Sequence, residues 1–280
     1  MAVVAVIAAG NMGAAVGRRL ADHGATVLTA LAGRSAATVA RARAAGMVSA
    51  NDEEIAGADF ILSILPPAEA LPLAKRLAPV LTASKGKPVY VDCNAISPQT
   101  AERIAAAIAP TGSAFVDAGI IGGPPTPKGK GPTFYASGPD AARFAALRDH
   151  GLDVRVLDGP LSAASALKMC YGGVTKGVTA LGAAMMLAAT RSGSADAYFQ
   201  ELQESQPELL AWFKRYVAGM PSKAYRWVAE MDEVASFAGK HAETRQLYEA
   251  IARFYEAMAR DAEGAQKDVA ALKDFLGRGT

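Results

Sequence analysis

The apolar run Val3–Ala8 passes, with Ala9 alone between them, into Gly10-Asn11-Met12-Gly13, and a helical pattern, Met12–His23, begins inside that turn. No residue of V-V-A-V-I-A has a polar side chain, so a strand made of it is apolar on both faces and needs helices above and below the sheet. The same alternation continues for about 160 residues. Short apolar runs at Thr26–Leu31, Asp59–Leu65, Pro88–Asn94, Ala114–Ala118, Thr133–Ser137 and Asp153–Leu157 read as strands. Between them lie helical patterns at Ala36–Ala45, Glu69–Leu81 and Pro98–Ala109. Strands separated by helices of this length form βαβ crossovers and a mostly parallel sheet.

Beyond Pro160 the chain reads as helix, with breaks near Gly193, Pro207 and Pro221. The stretch Ser162–Arg191 suits one helix of about 30 residues, ~45 Å long. It is apolar nearly all round, which predicts burial in a helical domain or a dimer interface. The expected fold is therefore α/β: a Rossmann-type, doubly wound, mostly parallel sheet in residues 1–160, followed by an all-α domain in residues 161–280.

The chain has 29 basic and 27 acidic residues, so no strong field favours nucleic acid or an anionic membrane. A small-molecule partner is expected instead. Cys93 and Cys170 are the only cysteines, which excludes a disulfide framework and fits a reducing, cytoplasmic setting. The apolar N-terminus has no basic segment before it and reads as a strand rather than a signal peptide. The most membrane-like stretch, Gly177–Thr190, is bounded by Lys176 and Arg191 and falls short of the roughly 20 residues a bilayer requires. His23, His150 and His241 show no metal-ligand spacing, so no metal site is expected.

A glycine turn between a first strand and its helix is where a dinucleotide pyrophosphate meets helix N–H groups. Gly10 would admit the phosphates and Gly13 would let helix and strand approach, although Ala8 stands where the usual first glycine belongs. After the second strand an acidic residue would bind the ribose hydroxyls of NAD. This chain has Arg34 and Ser35 there, and a guanidinium pairs with the 2′-phosphate of NADP. A serine capping the next helix explains Ser35 equally well.

Five segments in order resemble the β-hydroxyacid dehydrogenases, the group containing 3-hydroxyisobutyrate and 6-phosphogluconate dehydrogenases. They are G-N-M-G at Gly10–Gly13, S-I-L-P-P at Ser63–Pro67, Y-V-D-C-N-A-I-S-P at Tyr90–Pro98, D-A-G-I-I-G-G at Asp117–Gly123 and A-L-K-M-C-Y-G at Ala166–Gly172. A-Y-R-W-V-A-E-M-D-E-V-A at Ala224–Ala235 is similar to a branch of phosphogluconate-dehydrogenase-like proteins with a short helical C-terminal domain. The resemblance implies an NADP(H)-dependent oxidoreductase acting on a small carboxylate, a β-hydroxyacid or sugar-acid type. It places Gly10, Asn11, Met12, Gly13, Arg34, Ser35, Leu65, Pro66 and Asn94 at the cofactor, and Asn94, Gly122 and Gly123 at the substrate. It further implies a homodimer paired through the helical domains.

The resemblance makes Lys168 the expected general acid/base, and burial in an apolar helix would disfavour its ammonium and make the amine a usable base. Without the resemblance, a buried stem with its head at the surface explains this lysine better. Tyr171 and Thr175 follow at helical spacing and are expected beside the substrate, Tyr171 as a catalytic hydroxyl. Lys128 and Lys130 would add positive charge near the paired glycines. The chain departs from the family at Ile121, where a serine is usual, at Gly172, where an asparagine is usual, and at Glu230-Met231, where a Lys-Asp pair is usual. Imine reduction on the same fold and a non-catalytic NADPH-binding sensor remain alternatives.

Overall fold

The computed structural model describes residues 1–126, 129 and 131–279. It divides into two compact units, Met1–Met169 and Cys170–Thr280.

The first unit is an eight-stranded sheet with the order β3-β2-β1-β4-β5-β6-β7-β8. Its elements in chain order are β1 (Val3–Ile7), α1 (Asn11–Asp22), β2 (Thr26–Thr29), α2 (Ala36–Ala44), β3 (Val48–Ser49), α3 (Asp52–Ala56), β4 (Phe60–Ser63), α4 (Pro67–Ala83), β5 (Val89–Asp92) and α5 (Pro98–Ile108). There follow β6 (Ala114–Ile121), β7 (Thr133–Ser137), α6 (Ala141–Phe144) and β8 (Asp153–Val156). Every pairing is parallel except β6 with β7, where the chain reverses. Successive residues of β1 face opposite ways, as a pleat demands. Val4 and Val6 join the core under α1 with Val16 and Leu20. Ala5 and Ile7 join the core under α4 with Leu73, Leu77 and Leu81. The chain moves from β1 to β2 on one side and later to β4 on the other, so a crevice opens where β1 ends.

Three elements escape the sequence pattern, one of them α6, a single turn of four residues. β3 is two exposed residues, too short for any periodicity. α3 is set by a capping box in which Asn51 and Glu54 exchange side-chain and backbone hydrogen bonds, each 2.8 Å long. One expectation is corrected: the resemblance of D-A-G-I-I-G-G implies a substrate-binding loop, yet the strand expected at Ala114–Ala118 runs on through Gly119 to Ile121 as β6, with Phe115 to Ile120 buried. Only Gly122 and Gly123 of that motif lie beyond the strand.

The first two turns of α7 (Ala163–Arg191) belong to the sheet unit. A helix start leaves its first N–H groups unpaired, and here strand residues satisfy them. Ser137 Oγ accepts from Ala164 N (2.9 Å), and Asp117, fully buried, accepts from Ser165 N (2.7 Å) and from Ser165 Oγ (2.6 Å). Burial pushes the Asp117 carboxyl up to about 6 from 3.8, because desolvation outweighs the Ser165 and Ser137 hydrogen bonds that favour the carboxylate. A carboxyl whose folded pKa is raised contributes stability that is complete below its unfolded value and lost as pH rises through the folded one. The wild type should therefore lose on the order of 2–3 kcal/mol between about pH 4 and pH 6. Asp117→Asn should flatten that part of the curve, as read by urea unfolding at a series of pH values. An unchanged slope would show that Asp117 titrates normally.

The second unit holds the rest of α7 with α8 (Ala195–Ser205), α9 (Pro207–Tyr216), α10 (Ala224–Ala238), α11 (Ala242–Glu263) and α12 (Lys267–Leu276). α7 packs closely where it lacks side chains: a Cβ on Gly182 would lie 2.3 Å from Phe213, and one on Gly173 would lie 2.9 Å from the Tyr248 hydroxyl. Tyr255 donates its hydroxyl to the Lys176 carbonyl at 2.6 Å, and Lys176 pairs with Glu230 at 2.7 Å. By length and composition α7 is apolar enough to cross a membrane, contrary to the shorter stretch expected from its flanking charges. Its most apolar window is 56% buried within the protein, as in a core helix. It is not buried all round, however: Val174, Leu181 and Met185 are more than half exposed.

Candidate functional site

The turn after β1 has the shape a phosphate cradle requires. Ala8 takes the left-handed conformation (φ 75°) that a glycine adopts freely, at a cost of about 1–2 kcal/mol for a residue with a Cβ. The Ala8 carbonyl then points at α1, and a Cβ on Gly13 would sit 2.0 Å from its oxygen. Gly10 precedes the first helical residue, Asn11, and nothing lies within 4 Å of where its Cβ would be. The first turn of α1 has no acidic residue and no side-chain cap, so its N–H groups face that open space. Met12 is partly buried against the core beneath, which leaves backbone rather than its side chain to meet a ligand.

Beyond β2, Gly33 and Arg34 border a cavity of about 530 Å³ that Asn51, Asp52 and Arg76 also line. Arg34 is exposed there, whereas Arg76 is ion-paired with Asp52. Ser35 caps α2, its Oγ accepting from Thr38 N at 3.3 Å. Of the two explanations for Ser35, the helix cap is the one the geometry realises.

Asn94 is 2% exposed and its amide is committed within the fold. Its Nδ2 donates to Ser63 Oγ (2.8 Å) and to Asp92 Oδ2 (2.9 Å), while Oδ1 accepts from Leu65 N. Both amide hydrogens are thus used. Asn94 ties the end of β5 to the Leu65-Pro66 segment, where Pro66 precedes α4, and so it positions that loop.

Lys168 lies on the second turn of α7, and its Nζ donates to the Ile120 carbonyl near the end of β6. Gly119 permits this approach: a Cβ there would meet the Ala164 carbonyl oxygen at 2.9 Å and the Lys168 Cβ at 3.2 Å. Sequence reading passed over Gly119, Ser137 and Ser165, which seat the helix carrying Lys168. Gly122 has φ 121° and faces Pro132, so the turn after β6 requires glycine there. Gly123 is exposed with open space around it. Arg19 anchors the following loop through the carbonyls of Thr126 (2.8 Å) and Gly129 (2.7 Å). Lys128 and Lys130 lie outside the described residues.

Tyr171 and Thr175 fall in the second unit. Tyr171 is 48% exposed. Thr175 Oγ1 donates back to the Tyr171 carbonyl at 2.9 Å, so its proton is held within the helix. No group of metal-ligating side chains occurs among the described residues.

Residues 3–150 match the family described as the NAD binding domain of 6-phosphogluconate dehydrogenase, and residues 189–258 match a domain of unknown function (DUF1932). No curated protein sequence matches the chain. Among solved structures it is similar to a conserved protein of unknown function described as structurally similar to 3-hydroxyacid dehydrogenases. That pair shares 29% identity over 93% of this chain and 98% of the other, with a TM-score of 0.69. A 3-hydroxyisobutyrate dehydrogenase from Mycobacterium tuberculosis aligns at 20% identity over 98% and 99% of the two chains, with a TM-score of 0.71. An imine reductase from Myxococcus stipitatus, in complex with NADP+, aligns at 16% identity over 99% and 100%, with a TM-score of 0.55.

Proposed function

Since the chain belongs to the family of the NAD binding domain of 6-phosphogluconate dehydrogenase, and so has the fold of a nicotinamide-dependent oxidoreductase, we propose that it uses NADP(H) to interconvert a small β-hydroxyacid or sugar acid and its carbonyl form, with Lys168 as the general acid/base. One observation carries this reading. β1 and β6 run in the same direction through parallel neighbours, so the Gly10–Gly13 turn and the carbonyl that holds Lys168 share one edge of the sheet.

The residues present suit the cofactor. The cradle beside Gly10 is of the kind a pyrophosphate fills, and Arg34 supplies a guanidinium for a 2′-phosphate. When bound, a nicotinamide accepts or returns the hydride of the reacting carbon. Lys168, as the free amine, takes the hydroxyl proton as the carbonyl forms; in reduction, as the ammonium, it returns one. The N–H groups of Gly122 and Gly123 are suited to a substrate carboxylate. The test is turnover of NADP+ with a panel of 3-hydroxyacids and sugar acids, against turnover of NADPH with cyclic imines. The first activity supports the proposal. The second alone would replace it with imine reduction, a reaction named among the similar structures. NADPH binding with neither would leave a sensor.

We also propose a homodimer. Val174, Val178, Leu181, Met185 and Ala188 follow one another at alternating steps of four and three along the open side of α7. Steps of that kind make a seam for a second helix, and a two-fold axis presents the same seam twice. The double variant Leu181→Lys, Met185→Lys should sediment as a monomer at micromolar concentration where the wild type sediments as a dimer. A monomeric wild type would refute the pairing.

A further inference from the structure

Arg41 has not been assigned any role, yet it reaches the cofactor turn. It projects from α2, and its Nη1 donates to the Ala9 carbonyl at 3.0 Å, next to Gly10. Two features set it apart from an ordinary surface arginine. First, among the described residues no carboxylate pairs with it, nor with Arg34 or Arg43, whereas Arg18, Arg76, Arg143 and Arg155 all have acidic partners. Asp22 is the sole acidic residue before Asp52, and Arg18 already holds it. The β1–α1–β2–α2 segment thus carries uncompensated positive charge in the part of the fold that receives a dinucleotide. Second, one N–H of Arg41 is fixed on the turn while the rest of its fork has no protein partner among the described residues. A guanidinium held at one corner keeps its remaining donors in a defined plane, which lowers the entropy lost on binding an anion.

We propose that Arg41 is a second arm of a 2′-phosphate clamp, closing from α2 on the phosphate that Arg34 meets from the end of β2. This rests on the NADP reading above. Arg34 is exposed and unanchored, so it supplies charge, and Arg41 supplies a fixed direction. The two together make Arg41 a determinant of the choice between NADPH and NADH.

The experiment is a binding titration of NADPH, NADH and 2′,5′-ADP to the full-length wild type, Arg34→Met, Arg41→Met and Arg41→Lys, each checked for folding by thermal melting. Losing charge-assisted hydrogen bonds to a phosphate should weaken NADPH and 2′,5′-ADP about 10- to 100-fold in Arg41→Met, with NADH changed less than about twofold. Arg41→Lys should fall between, since it keeps the charge and loses the fork. Equal weakening of NADPH and NADH would make Arg41 a strut for the turn and overturn the proposal. So would unchanged binding in both. If Arg34→Met loses the preference while Arg41→Met keeps it, the clamp fails and the NADP reading stands. A wild type with no preference for NADPH defeats both. Should Arg41→Met melt early, Arg41→Gln, which retains a donor for Ala9, gives the same comparison.

Discussion

Lys168→Ala should lose at least ~10³-fold in kcat while its NADPH affinity stays within about twofold of the wild type. The size follows from the proton. Without an amine at the edge of the sheet, water must accept the hydroxyl proton, and positioned acid/base groups contribute roughly 10²- to 10⁴-fold. The sparing of cofactor binding follows from geometry, because this side chain donates to the Ile120 carbonyl at the end of β6 rather than to the Gly10–Gly13 turn. Lys168→Met retains the packed stem and separates loss of the amine from loss of packing. Activity surviving in both variants would remove Lys168 from the chemistry. Loss of NADPH binding in parallel with turnover would make it a cofactor residue instead.

The second large effect is expected at the cofactor turn, where two glycines should behave oppositely. Gly13→Ala places a Cβ 2.0 Å from the Ala8 carbonyl oxygen, a main-chain atom, and no side-chain rotation moves either atom away. The turn must shift, which should cost about 2 kcal/mol or more, a fall of roughly 4–8 °C in Tm for a protein of this size. NADPH binding should fall at least ~100-fold as the N–H groups of α1 move. Gly10→Ala adds its methyl where nothing lies within 4 Å, so Tm should hold. Binding should still weaken, because that space is reserved for the phosphates in this account. If Gly10→Ala binds NADPH normally, the pyrophosphate does not lie there.

Much of this was legible in the chain because the informative signals are local. The doubly apolar V-V-A-V-I of β1, the glycines after it and the regular return of apolar strands yield the sheet and its coverage without any long-range knowledge. The long helix was visible from its unbroken apolar character, and its start at Ala163 is one residue from the expected start. The structure added what depends on distant partners. Asp117 meets Ser165 across 48 residues, and nothing in D-A-G-I-I-G-G announces that its aspartate seats a helix rather than a ligand. Asn94 donates to Ser63, 31 residues away, a partner that no local pattern around Asn94 foretells. Lys168 is held by a backbone carbonyl, and a carbonyl leaves no mark in a sequence. Gly119 read as part of a loop, although its task is to bring α7 onto β6.

These contacts also bear on the residues where the chain departs from its relatives. Gly172 has the Lys176 ammonium 3.4 Å from the point its Cβ would occupy, and that ammonium pairs with Glu230. A side chain of asparagine size at 172 would crowd the ion pair. The glycine and the glutamate therefore belong to one local arrangement rather than to two separate losses.

The central claim is tested most directly by following the absorbance of reduced nicotinamide while wild type and Lys168→Ala are mixed with NADP+ and each member of a 3-hydroxyacid and sugar-acid panel. The account predicts that at least one acid reduces NADP+ with the wild type and that the same acid is inert with the variant. No reduction by any acid, from a wild type that binds NADPH tightly, would contradict it.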